Sequence, residues 1–104
     1  MIKFSETDIN LGILPYGKDG KATVSVTNTY NQEVKLETYN SSCSCTTGKL
    51  TSSKLKPNET TQFIITLNSV KAGRAMNQVK TISLKYIVGN QTYSQVFRLK
   101  VNIV

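Results

Sequence analysis

Apolar and polar residues alternate with a period of two through most of this chain. In Lys21–Asn28, Ala22, Val24 and Val26 alternate with Thr23, Ser25 and Thr27, the pattern of a half-buried strand. Val34 and Leu36 restart the period, which runs to Tyr39, and Thr61–Leu67 sets Phe63, Ile65 and Leu67 on one face. Lys80–Val88 turns Ile82, Leu84, Tyr86 and Val88 inward, opposite Thr81, Ser83 and Lys85. The last segment is the clearest. Tyr93, Phe97, Leu99, Val101 and Ile103 face one way and Arg98, Lys100 and Asn102 the other, with Gln95 as an inward exception.

Turn chemistry separates these runs. Lys18-Asp19-Gly20, Thr29-Tyr30-Asn31-Gln32 and Leu55-Lys56-Pro57-Asn58 read as turns, the last with Asn58 suited to a left-handed conformation. Gly89-Asn90 marks a tight hairpin. Phe4–Leu11 alternates weakly, and Gly12 and Pro15 break its ladder, as in an edge strand that bends or changes partner. Residues 48–54 and 68–77 carry no strand pattern and are expected as loops. No helical period of 3.6 persists. The prediction is an all-β fold, a sandwich of about seven antiparallel strands forming one domain over residues 1–104. A chain of 104 residues buries roughly 65% of its extended surface, enough for a core without covalent staples.

Charge narrows the partners. Thirteen Lys and Arg against six acids give a net charge of +7, which invites a nucleic-acid reading. The cations are scattered, however: Lys3, Lys18, Lys21, Lys35, Lys71, Lys80, Lys85, Arg98 and Lys100 lie far apart, and only Lys49, Lys54 and Lys56 cluster. No RNP-like signature and no helix able to enter a groove accompany them. An acidic partner surface is therefore expected rather than a nucleic acid. No apolar run approaches the ~20 residues of a membrane-spanning helix. The start, Met1–Glu6, lacks a signal-peptide core, so the chain is expected either to stay inside the cell or to have lost a leader.

Both cysteines fall in Ser42-Cys43-Ser44-Cys45-Thr46-Thr47-Gly48. An extended run would place Cys43 and Cys45 roughly 6.6 Å apart on one face, whereas a disulfide needs Cβ atoms about 3.8 Å apart. A bond between them would thus require a tight turn. Two thiols without histidine cannot close a zinc site in one copy, and the one-residue spacer differs from the two-residue spacer of thioredoxin-type motifs. The expectation is two small, buried, free thiols, with an interchain metal or redox sensing as alternatives.

Four separated stretches resemble one pattern. Ile9–Gly17 is similar to the "hydrophobic-x-hydrophobic-Gly-x-hydrophobic-x-x-Gly" opening of a bacterial family of unknown function. Thr27-Asn28-Thr29 resembles its Asn-Thr-Gly strand end, Ser42–Thr47 its Ser-Cys-Gly-Cys-Thr hallmark, and Leu55–Glu59 its Pro-Gly-Glu turn. Ser44 and Asn58 stand where that family usually has glycine. The resemblance implies an immunoglobulin-like sandwich related to ASH, Hydin and major-sperm-protein domains. It makes Cys43, Cys45 and Thr46 a structural motif, implies no catalytic activity, and implies export in typical members.

No catalytic constellation is legible. Histidine is absent, the acids Glu6, Asp8, Asp19, Glu33, Glu37 and Glu59 are scattered, and no glycine loop could cradle phosphate. No cofactor, metal or small-molecule substrate is expected. The reading that remains is a structural or protein-binding module, an accessory or decoration subunit of a large assembly such as a bacteriophage capsid, able to self-associate and located in the virion or host cytoplasm. The alternative is an exported surface or periplasmic adhesion or carbohydrate-binding domain whose leader has been removed. Lys49, Lys54, Lys56, Lys71 and Arg74, in the stretches Lys49–Lys56 and Asn68–Asn77, are the candidate partner contacts.

Overall fold

A computed structural model describes residues 2–104. Met1, the first residue of the Met1–Glu6 stretch, lies outside them, as do the side chains of Thr38 and Tyr39, at the end of the alternation that starts from Val34. The architecture is a two-sheet β-sandwich. In chain order the strands are β1 (Ile2–Phe4), β2 (Asp8–Leu14), β3 (Asp19–Asn28), β4 (Val34–Ser41), β5 (Thr46–Leu50), β6 (Lys54–Leu55) and β7 (Thr60–Asn68). A one-turn helix α1 (Ser69–Ala72) follows, then β8 (Ala75–Val88) and β9 (Gln91–Ile103). One sheet has four strands in the order β1-β3-β7-β5 and the other five in the order β2-β9-β8-β4-β6. All pairings are antiparallel except β2 with β9, which run parallel.

The period of two becomes the core. Val24 and Val26 of β3, Phe63, Ile65 and Leu67 of β7, and Leu84, Phe97 and Leu99 of the facing sheet are fully buried. The Phe63 and Phe97 rings meet across the sandwich at 5.3 Å between centroids. The register read for β9 holds, with Arg98 and Lys100 exposed between buried neighbours. Tyr93 departs from it. It is 38% exposed and stacks on Tyr86 at 5.3 Å.

The amino-terminal segment divides between the sheets: β1 pairs with β3 in one and β2 with β9 in the other. The change of partner falls at residues 5–7, ahead of Gly12. Gly12 instead forms a bulge within β2, at φ +69°, with its N–H donated to Asn10 Oδ1 at 2.9 Å. Asn58 adopts φ +68°, as its turn requires.

Two expected loops prove to be ordered elements. Residues 46–50 form β5, pairing with β7 from Thr46↔Leu67 to Leu50↔Phe63. The alternation there is hidden because the inward positions are Thr46, Gly48 and Leu50. Gly48 is small for a steric reason, since a Cβ would stand 2.5 Å from Phe63 Cε1 and 2.9 Å from Ile82 Cδ1. Residues 68–77 contain α1, capped by Asn68 Oδ1, which accepts from the N–H groups of Val70 and Lys71. β8 begins within the same segment, and a bulge between Ala75 and Gln78 scrambles its period.

One buried polar side chain fastens an end of the sandwich. Asn28 is fully buried, and its Nδ2 donates to the carbonyls of Gln32 at 2.9 Å and Leu55 at 3.0 Å. Its Oδ1 accepts from Tyr30 N–H at 2.9 Å, and its backbone exchanges bonds with Asn58 and Glu59. Asn28→Ala leaves buried groups without partners and is expected to lower stability by about 2–4 kcal/mol. Urea unfolding of the variant against the parent measures this.

Candidate functional site

Charge is distributed unequally between the two sheet faces. On the four-stranded sheet the outward residues are Lys3 of β1, Lys21, Thr23, Ser25 and Thr27 of β3, Gln62, Ile64 and Thr66 of β7, and Thr47 and Lys49 of β5. Register aligns them in rows. Lys21 lies beside Thr66 and Thr47, and Thr23 beside Ile64 and Lys49. Lys3 is paired with Thr27, whose hydroxyl bonds that of Thr60 at 2.9 Å.

Among the described residues every ion pair lies on the five-stranded sheet: Lys35–Glu37, Lys85–Glu37 and Arg98–Asp8. Among those residues Lys3, Lys21 and Lys49 have no carboxylate within ion-pair distance. Strand spacing puts Lys21 and Lys49 about 12 Å apart, and Lys3 about 20 Å from either. Such wide spacing suits an extended acidic surface better than a single carboxylate. Asp19, at the end of β3, is the acid on this face.

The structure separates the contact candidates read from sequence. Lys49 points outward from β5, while Lys54, in β6, belongs to the other sheet, opposite Lys35. Lys56 donates its backbone N–H to Glu59 Oε1 at 2.6 Å, which brings a carboxylate beside it. Lys71, in α1, and Arg74 lie at the opposite end, about 26 Å away along β7. The Arg74 guanidinium stands 4.5 Å over the Tyr16 ring. Lys3 and Lys21 looked scattered because only strand pairing brings them onto one face with Lys49. Tyr86 lies on β8, on the five-stranded sheet. Burial, then the nearby Tyr30 and Tyr93, raise its pKa.

The cysteine run corrects the expectation of free thiols: Cys43 and Cys45 are joined by a disulfide. The chain is not extended there. Thr46 N–H donates to the Cys43 carbonyl at 3.2 Å, closing a turn that brings the two Cα atoms to 5.1 Å. Cys45 N–H also donates to Cys43 Sγ at 3.1 Å. Cys45 is buried with Leu67, Val101 and Ile103, and Cys43 packs partly buried beside them. Thr46, also buried, places Oγ1 3.5 Å from Cys45 Sγ. This turn carries the chain from β4 in one sheet to β5 in the other. It also receives α1, because Asn68 N–H donates to the Cys45 carbonyl at 2.7 Å. Among the described residues no three metal-ligating side chains come together, and no helix is long and apolar enough to cross a membrane.

The ring this disulfide closes spans three residues, so chain entropy gives it only about 1.6 kcal/mol. Reduction is therefore expected to lower stability by about 1–2 kcal/mol without unfolding the domain. In denaturant, iodoacetamide should label neither cysteine before reduction and both after it, as read by intact mass, whereas in the folded reduced domain the partly buried Cys43 should be labelled ahead of the buried Cys45.

The model of a family described as "Protein of unknown function (DUF1573)" matches residues 2–103, a span that includes the cysteine turn. No curated protein matches the sequence. Among solved structures, a protein of unknown function from Porphyromonas gingivalis W83 is similar at 19% identity and a TM-score of 0.75, covering 97% of this chain and 46% of that one. The chain thus spans about half of that protein's length. The ASH/PapD-like domain 7 of human CEP192 is similar at 10% identity and a TM-score of 0.78, covering 99% and 84%. The E. coli chaperone DraB is similar at 12% identity and a TM-score of 0.69, covering 99% and 55%. These likenesses establish the immunoglobulin-like, PapD-like fold.

Proposed function

We propose that this chain, which belongs to the DUF1573 family, is a non-enzymatic protein-binding module that docks on acidic protein surfaces through the outer face of its four-stranded sheet. The observation that carries the reading is the partition of charge. On the five-stranded sheet Glu37 and Asp8 lie within ion-pair distance of Lys35, Lys85 and Arg98, while on the other face none of Lys3, Lys21 and Lys49 has such a partner among the described residues, which leaves all three for an outside partner. Opposite potentials accelerate encounter and set orientation. Similarity to an ASH domain and to a chaperone, both on this fold, agrees with a protein partner.

The face is small, and a single contact below about 1,200 Å² is typically weak. Firm retention then requires several contacts at once, as on a repeated lattice or through self-association. An accessory subunit of a large assembly meets that condition. A bacteriophage capsid decoration protein in the virion or host cytoplasm is its most specific form, reached by analogy with small immunoglobulin-like domains on virions.

The test is co-sedimentation with large particles from the native host at two salt concentrations. Substituting Lys3, Lys21 and Lys49 together by Gln should lower retention at least ten-fold and flatten its salt dependence, since exposed attraction is screened beyond roughly 8 Å at physiological ionic strength. Lys35→Gln, which removes a cation already paired on the other sheet, should change little. Retention indifferent to the triple substitution and to salt would remove this face from the interaction.

A further inference from the structure

The five-stranded sheet carries a second feature that the docking face does not use. Two bulges lie on either side of β9, one in β2 between Asn10 and Gly12 and one in β8 between Ala75 and Gln78. Bulges bend strands and increase their local twist. Between them the outer surface holds a groove of about 380 Å³, lined by Asn10, Asn77, Gln78, Val79, Lys100, Val101 and Asn102. Its volume lies within the range of ligand sites.

The hydrogen bonds of the bulges fix which polar atoms remain for a ligand. Asn10 Oδ1 accepts Gly12 N–H at 2.9 Å, and Asn102 Oδ1 accepts Asn77 N–H at 2.7 Å, where Asn77 holds φ +57°. Because each carboxamide oxygen is committed to a backbone N–H, each Nδ2 is left to donate elsewhere. Gln78 Nε2 is occupied by the carbonyls of Gly73 and Ala75, so its oxygen is the acceptor it offers.

Lys100 lies between Asn10 on β2 and Val79 on β8 in the strand register, exposed and, among the described residues, with no carboxylate within ion-pair distance. The groove therefore presents a cation flanked by two oriented amide donors, with Val79 as an apolar wall, 53% exposed. Ile13, the strand neighbour of Asn102, is 69% exposed beside it.

We propose that this groove binds the carboxylate of an acidic peptide segment, the Asp or Glu side chain engaging Lys100 and the amides of Asn10 and Asn102. A carboxylate is an acceptor-only group that can use all three donors at once. Among the described residues no aromatic ring lines the groove, which favours an aliphatic acidic side chain against Val79 over the stacked ring of a sugar. The site is on the opposite sheet from Lys3, Lys21 and Lys49 and is independent of the proposed docking face.

The test is a ¹⁵N NMR titration of the whole chain with a decapeptide of alternating Glu and Gly, its Gln counterpart, inorganic phosphate and an oligouronate. The Glu peptide should shift the Asn10 and Asn102 side-chain amides and the backbone around Lys100, binding at least ten-fold more tightly than the Gln peptide. Asn102→Asp keeps an acceptor for Asn77 N–H but replaces the donor by an oxygen, and it should abolish these shifts. Lys100→Gln should weaken binding at least five-fold with an unchanged melting temperature. Shifts confined to the Lys3, Lys21 and Lys49 face would overturn the assignment, as would equal shifts from phosphate or a response to the oligouronate alone.

Discussion

The carboxamide of Asn28 is the interaction on which one end of this sandwich depends. Three segments meet there: the end of β3, the turn leading into β4, and the β6–β7 turn. A single buried side chain supplies two donors and one acceptor to their backbone groups, and its own peptide group ties in Asn58 and Glu59. Buried backbone groups that lack partners are costly, so this network selects one path for the chain among the many that hydrophobic packing would tolerate.

At the far end the same task is performed by packing and a covalent bond. The chain must cross from β4 to β5, and β7 must turn into α1, within one small volume. Cys45 fills that volume with Leu67, Val101 and Ile103, while its carbonyl receives Asn68. Ser69, fully buried, accepts the N–H of Gly17 at 2.8 Å through its hydroxyl and so joins α1 to the segment after β2. The disulfide sets the turn rather than adding much chain entropy.

Between these ends the two sheets differ in how they treat charge. Among the described residues the five-stranded sheet pairs three of its cations, Lys35, Lys85 and Arg98, and leaves Lys54, Lys80 and Lys100 without an ion pair, whereas the four-stranded sheet pairs none of Lys3, Lys21 and Lys49. A β-sandwich forms in either case, since exposed ion pairs contribute little to stability. The asymmetry therefore bears on what approaches each face rather than on whether the domain folds.

The strands with clean alternation were legible from sequence alone. Val24 and Val26, Phe63 to Leu67, Ile82 to Val88, and Phe97 to Ile103 each commit one face to the core because side chains alternate strictly across a sheet. The turns at Asn58 and Gly89 were legible too, through residues that tolerate positive φ. β5 was hidden because Gly48 faces inward, and its smallness makes sense only once Phe63 and Ile82 are seen above it. α1 was hidden because one helical turn leaves no periodic trace. The disulfide is not legible in the one-residue spacer, because an extended run would hold the two cysteines apart and only the hydrogen bond from Thr46 N–H to the Cys43 carbonyl curls the chain to bring them together. The basic face and the amide groove belong wholly to tertiary structure. Lys3, Lys21 and Lys49, like Asn10, Lys100 and Asn102, come together through strand pairing, and pairing is settled by which partners best fill a shared core.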